Sequence, residues 1–160
     1  MTLQMTLDIS RLFAVLKQTI CGSMYPPAPK KFAVDNLTIN DVRHILLTEY
    51  PHAKLYLLDA KYRVPYKEDV EQVLAELRTT RWHYEIDYQD CDDAAARLWG
   101  LTSVGKWASI TFGIAISTTH AFNICIADED TQVYVIEPQY ARPKLMKTDN
   151  EMYKPIFIMM

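Results

Sequence analysis

"HAFNICIADEDTQVYVIEPQ", residues 120–139, is the stretch whose folding decides how the rest of the chain is placed. Two apolar runs, "FNICIA" and "VYVIEP", flank the acidic turn "DEDTQ", which is the pattern of a β-hairpin. Facing residues in an antiparallel pair are fixed by loop length. A two-residue loop at Asp128 and Glu129 sets His120 directly across from Glu137. A four-residue loop at 128–131 sets His120 across from Gln139 and diagonal to Glu137. Either register leaves His120 and Glu137 on one face within side-chain reach. A three-residue loop sends them to opposite faces. The sequence leaves the loop length open.

Upstream of the hairpin, residues 107–119 carry no charge, and Ile110, Phe112, Ile114 and Ile116 alternate with small or hydroxylated residues. That spacing predicts a buried strand near 109–117, followed by the hairpin strands near 119–127 and 132–137. A helix is predicted from Cys91 to a C-cap at Gly100. Helical periodicity also marks 8–20 (Ile9, Leu12, Phe13, Leu16, Ile20), 39–49 (Ile39, Val42, Ile45, Leu46, capped by Thr38) and 67–79 (Val70, Val73, Leu74, Leu77). "AKLYLLDAKYRVPY" reads as one or two strands and "RWHYEIDY" as extended. Helices precede sheet, so an α+β arrangement is expected. The chain reads as a single domain, 1–160. Residues 1–80 form a mostly helical half, and 81–160 a helix with an antiparallel sheet.

The 160 residues are 49% hydrophobic and 23% charged, with a net charge of -3. This is the profile of a globular chain with a core. Basic residues are dispersed, which argues against nucleic acid as a partner. The uncharged 107–119 run alternates as a strand does, which argues against a membrane span. "MTLQMTLDISRLF" lacks the basic start and unbroken apolar run of a signal peptide, so a cytoplasmic setting is expected. Three cysteines without CxxC spacing argue against a disulfide scaffold or a zinc knuckle.

"DYQDCDDAAARLWG", residues 87–100, sets Cys91 among four aspartates. Asp90 can cap a helix there, and Asp92 and Asp93 suit its first turn. The helix dipole lowers the pKa of a thiol at that position, but the carboxylates oppose it. A nearby cation would tip the balance, and it could be an imidazolium or a metal ion. Of the four histidines, His44 and His52 read as surface or capping residues, and His83 is a minor rival. His120 gains a partner in Glu137 if the hairpin register allows. The three would then take the roles of nucleophile (Cys91), base (His120) and orienting group (Glu137). Asp87, Asp90, Asp92 and Asp93 are hard oxygen donors, which suit calcium better than zinc. Glu137 and Gln139 offer further oxygens. Four solvated aspartates around a helix start are the plain alternative.

The aromatic stretch before "DCDDAA", then "HAFN", then "VIEPQ", resembles the papain-like cysteine protease domain of a mushroom galactose-binding agglutinin. It is also similar to small bacterial and phage proteins of that type. The resemblance covers roughly residues 80–140. It implies a papain-like α+β fold whose nucleophile helix packs on an antiparallel sheet, with Cys91, His120 and Glu137 catalytic. It further implies Asp87, Asp92, Asp93 and Gln139 as calcium ligands, and Trp82 and Tyr84 lining the substrate site. No β-trefoil segment accompanies these motifs, so galactose binding does not carry over. The resulting expectation is a calcium-dependent papain-like cysteine protease or related thiol hydrolase, phage-encoded or not, acting on a peptide or protein substrate. Two alternatives stand beside it. One is a non-catalytic structural or adaptor protein of a phage particle, contacting other virion proteins. The other is a peptidoglycan peptidase or amidase.

Overall fold

The computed structural model describes residues 29, 31–77, 90–140 and 142–160. The helix expected over 8–20 and the aromatic stretch 81–88 lie outside these residues. Eight strands and three α-helices are present among the described residues. The strands are β1 (Val34–Thr38), β2 (Lys54–Tyr56), β3 (Lys61–Val64), β4 (Phe112–Ile116), β5 (Ala121–Ala127), β6 (Gln132–Ile136), β7 (Leu145–Met146) and β8 (Phe157–Met159). The helices are α1 (Ile39–Glu49), α2 (Lys67–Leu77) and α3 (Cys91–Thr102).

Six strands form one sheet in the order β2-β8-β4-β5-β6-β7, and β1 pairs with β3 in a separate ribbon. β2 runs parallel to β8, while the other pairs of the large sheet are antiparallel. The expected papain-like α+β class, a helix on an antiparallel sheet, is corrected here. The described residues are built mainly on strands with few helices, and their main sheet is mixed. The cause is long-range pairing. β2, from the part of the chain that reads as helical, adds to the C-terminal β8, and hydrophobic periodicity carries no information about such a partner.

β5 is buried along its whole length. Its even-numbered side chains, Phe122, Ile124 and Ile126, pack with Val42 and Leu46 of α1. Its odd-numbered Cys125 and Ala127 pack with Val70, Val73 and Leu74 of α2 and Leu98 of α3. Alternation on the pleat thus gives each face of the sheet its own helical cover. Burying a large aliphatic or aromatic side chain contributes about 1.5–3 kcal/mol. The two-sided core around β5 therefore dominates the stability of this region.

Local signals set the helix starts. Thr38 and Asp41 form a reciprocal capping box at α1, with the Thr38 N–H donating to Asp41 Oδ2 and the Asp41 N–H donating to Thr38 Oγ1. α2 is capped from a distance: Asp128 Oδ1, in the acidic hairpin turn, accepts the Lys67 N–H at 2.8 Å. Asp128 and Thr131 take left-handed φ values of 68° and 53°, which closes the turn. Gly113 lets β8 approach β4, since a Cβ there would collide with the Met159 carbonyl. α3 runs past Gly100, the expected C-cap, to Thr102. No described helix is long and apolar enough to cross a membrane.

Candidate functional site

β5 and β6 pair Asn123 with Ile136 and Ala127 with Gln132, the register of the four-residue loop 128–131. His120 stands just before β5 and Glu137 just after β6. Their contact is direct: His120 Nε2 lies 2.6 Å from Glu137 Oε2. Ser117 fixes the backbone at this point. Its Oγ accepts the His120 N–H at 3.1 Å, and its own N–H donates to the His120 carbonyl at 2.8 Å.

Glu137 is only 3% exposed, yet both of its oxygens accept hydrogen bonds. Besides His120, Oε2 accepts the Tyr153 hydroxyl at 3.0 Å, and Oε1 accepts the Gln139 N–H at 3.1 Å. Burial would push this carboxyl up. The hydrogen bonds from His120, Gln139 and Tyr153 outweigh that and hold it below its usual range. The same contact, after burial, pushes the Tyr153 hydroxyl up. The His120 ring stacks beside Phe122 and meets Tyr153 edge-on.

Cys91 opens α3 half-buried, packed against Ala95, Ile114 and Ala121. Its Sγ accepts the Ala121 N–H at 3.4 Å. Asp90 occupies the N-cap position without a side-chain cap bond, and Asp92 and Asp93 fill the first turn. Asn123, fully buried in β5, ties α3 to the sheet by donating to the carbonyls of Ala95 and Gly113. Cys91, His120 and Glu137 therefore gather at one end of β5. Among the described residues, however, no hydrogen bond joins the sulfur to the imidazole. The ring is engaged by Glu137, Phe122 and Tyr153, while the sulfur faces the backbone of Ala121. Cys125, wholly buried, has its thiol pushed far up by burial and takes no part.

Of the expected calcium ligands, Asp92 clusters with Asp90 and Cys91, with donor atoms within 4.8 Å of one another. The side-chain hydrogen bond with Asp92, then burial, raises the Asp90 carboxyl. Asp93 lies outside that cluster. Gln139 sits against Glu137, with its side-chain nitrogen buried and without a hydrogen-bond partner among the described residues. Asp87, Trp82 and Tyr84 lie outside the described residues. Tyr153 and Ser117, which hold Glu137 and His120 in place, were not expected. Nothing in "EMYKP" or "ISTTH" ties either residue to the hairpin.

This fold is shared with a mushroom protein. A solved PSL1a–E64 complex matches 80% of this chain and 52% of its own, with a TM-score of 0.61 and 25% identity. The Polyporus squamosus lectin, solved with the human-type influenza-binding epitope Neu5Aca2-6Galb1-4GlcNAc, matches 80% of this chain and 50% of its own. Its TM-score is 0.57 and its identity 21%. This chain thus spans about half the length of the structures it resembles. No family profile matches the sequence, and no curated protein does.

The likeness to a mushroom agglutinin stands as a lectin-like fold, and the papain-like protease assignment does not. The structures that share the scaffold include a lectin solved with a sugar epitope. The calcium-dependent cysteine protease, the related thiol hydrolase, the peptidoglycan peptidase and the phage structural protein are all overturned as readings of this chain. The physical reason is general. A cysteine at a helix start and a His–Glu pair across a hairpin are local arrangements, and a fold that carries them is not thereby committed to one chemistry.

Proposed function

We propose that this chain is a carbohydrate-binding module. The observation that carries the reading is its likeness, over 80% of its length, to a lectin solved with a sugar epitope. The chemistry around Glu137 supports it. Saccharide sites combine rigidly held polar groups with an aromatic face on which the sugar ring can lie. Glu137 is locked by three donors, Gln139 holds a buried nitrogen without a partner among the described residues, and Tyr140 beside them is 51% exposed. The test is a glycan array followed by calorimetry on the hits. Saturable binding of at least one saccharide is expected, and no binding across a broad panel overturns the reading.

Cys91, His120 and Glu137 are proposed as functional residues in a narrower sense, as a reactive thiol with its supporting pair. The half-buried sulfur at a helix start favours this. Incubation with E64, the compound in the PSL1a complex, should add mass at Cys91 alone. An unmodified Cys91 after prolonged exposure refutes it. A calcium ion is proposed at Asp90 and Asp92, whose mutual repulsion a hard cation would relieve. Terbium luminescence that calcium quenches in the native protein, and that Asp92→Asn removes, would support it. An absence of luminescence would exclude it.

A further inference from the structure

The two edges of the six-stranded sheet differ. β7 has two residues and is bracketed by Pro143, Lys144 and Lys147, which blunt an edge against further pairing. β2, at the opposite edge, exposes large apolar side chains instead. Its even-numbered backbone groups face β8. The Lys54 N–H donates to the Ile156 carbonyl, the Leu58 N–H donates to the Met160 carbonyl, and the Tyr56 carbonyl accepts the Met160 N–H. The N–H and C=O groups of Leu55 and Leu57 therefore point away from the sheet. Among the described residues no backbone hydrogen bond reaches them. The open window ends on either side, because the Ala53 N–H donates to the Tyr50 carbonyl and the Asp59 N–H to the Tyr62 hydroxyl.

The side chains at this edge form an apolar face. Tyr56 is 60% exposed and Leu58 63%. The Tyr56 ring packs against Phe157 of β8, with centroids 5.4 Å apart. Ile116 of β4, also exposed, lies across from Phe157. A contiguous apolar face beside unpaired strand groups is the usual template for pairing with another chain.

We infer that β2 is a homodimer interface, in which two copies join edge to edge and antiparallel about a two-fold axis at Tyr56. The register follows from the open groups. Leu55 of each copy pairs with Leu57 of the other, and each pair exchanges both of its N–H···O=C bonds. Any shift would set Leu55 or Leu57 against Ala53 or Asp59, whose N–H groups are already engaged. Each free group thus finds its counterpart in the same window of the other copy. That self-complementarity favours a second copy over an unrelated strand. Tyr56 meets Tyr56 of the other copy at a non-hydrogen-bonded position, where facing side chains approach closest. Lys54 falls opposite Leu58, one residue from Asp59 of the other copy, so opposite charges flank the aromatic pair. The two sheets become one, and the inference stands apart from the carbohydrate-binding reading above.

Sedimentation velocity on the intact chain over a concentration series tests it. The wild type should show a reversible monomer–dimer equilibrium. Tyr56→Lys and Tyr56→Glu each set like charges against one another on the axis and remove the aromatic pair. Either should weaken self-association about tenfold or more. Both variants should melt as the wild type does, because the side chain is exposed. Mixing the two in equal amounts should restore the dimer, since unlike charges then face across the axis. A wild type that stays monomeric across the whole series, a dimer that persists in either variant alone, or a mixture that stays monomeric would overturn the inference.

Discussion

Replacing Glu137 with Gln should lower stability more than any other near-isosteric change at this site. The carboxylate is 3% exposed and accepts from His120 Nε2, the Tyr153 hydroxyl and the Gln139 N–H. An amide of the same size keeps one oxygen and turns an NH2 group toward at least one of those donors. Hydrogen bonds to a charged group contribute about 1.5–3 kcal/mol each, against about 0.5–1.5 kcal/mol for neutral ones. A net loss of about 2–3 kcal/mol follows. For a chain of this size it corresponds to a fall in Tm of roughly 4–12 °C. Thermal unfolding followed by near-ultraviolet circular dichroism at pH 7 measures it. Acid supplies a second check. The folded carboxyl titrates below its ordinary 4.5. Its stabilisation is therefore complete above about that pH and is lost as pH falls through the folded value. The gap between wild type and Glu137→Gln should close on acidification. A gap under about 1 °C at pH 7, or one that widens below pH 4.5, would refute the account of this carboxylate as an ionised, buried acceptor.

Three other changes test the framework. Asn123→Ala leaves the carbonyls of Ala95 and Gly113 without their donor and loosens α3 from β4; urea unfolding should show a loss of about 2–4 kcal/mol. Thr38→Ala opens the capping box of α1 and should cost about 1 kcal/mol in the same assay. Gly113→Ala sets a Cβ against the Met159 carbonyl, so β8 must move away from β4. The expected outcome is loss of soluble folded protein, read by gel filtration, and a variant that elutes and melts like the wild type would contradict the β4–β8 pairing.

Local structure was legible where local chemistry sets it. The Thr38 cap and the Val42 and Leu46 face located α1, and the charge-free alternation through Phe112 and Ile114 located β4. The same logic over-reached at Gly100, where α3 continues because Leu98 and Thr102 are buried beyond the apparent stop. It also missed β1, whose bulge at the left-handed Asn36 breaks the two-residue period. Among the site residues, the hairpin pattern put His120 and Glu137 on one face for a two- or four-residue loop and on opposite faces for a three-residue loop, and left the loop length open. That length was fixed by Asp128, which adopts a left-handed backbone while capping α2 from across the fold.

Sequence by itself determined the hairpin, the helix starts and the types of residue at the β5 end, because periodicity and capping act over a few residues. Tertiary structure alone decided that β2 joins β8 in a mixed sheet, that Tyr153 completes the acceptor shell of Glu137, and that the His120 ring turns toward Glu137 while the Cys91 sulfur meets the Ala121 backbone. Those contacts join residues far apart in the chain, and their energies depend on burial and on partners that no short window of residues contains.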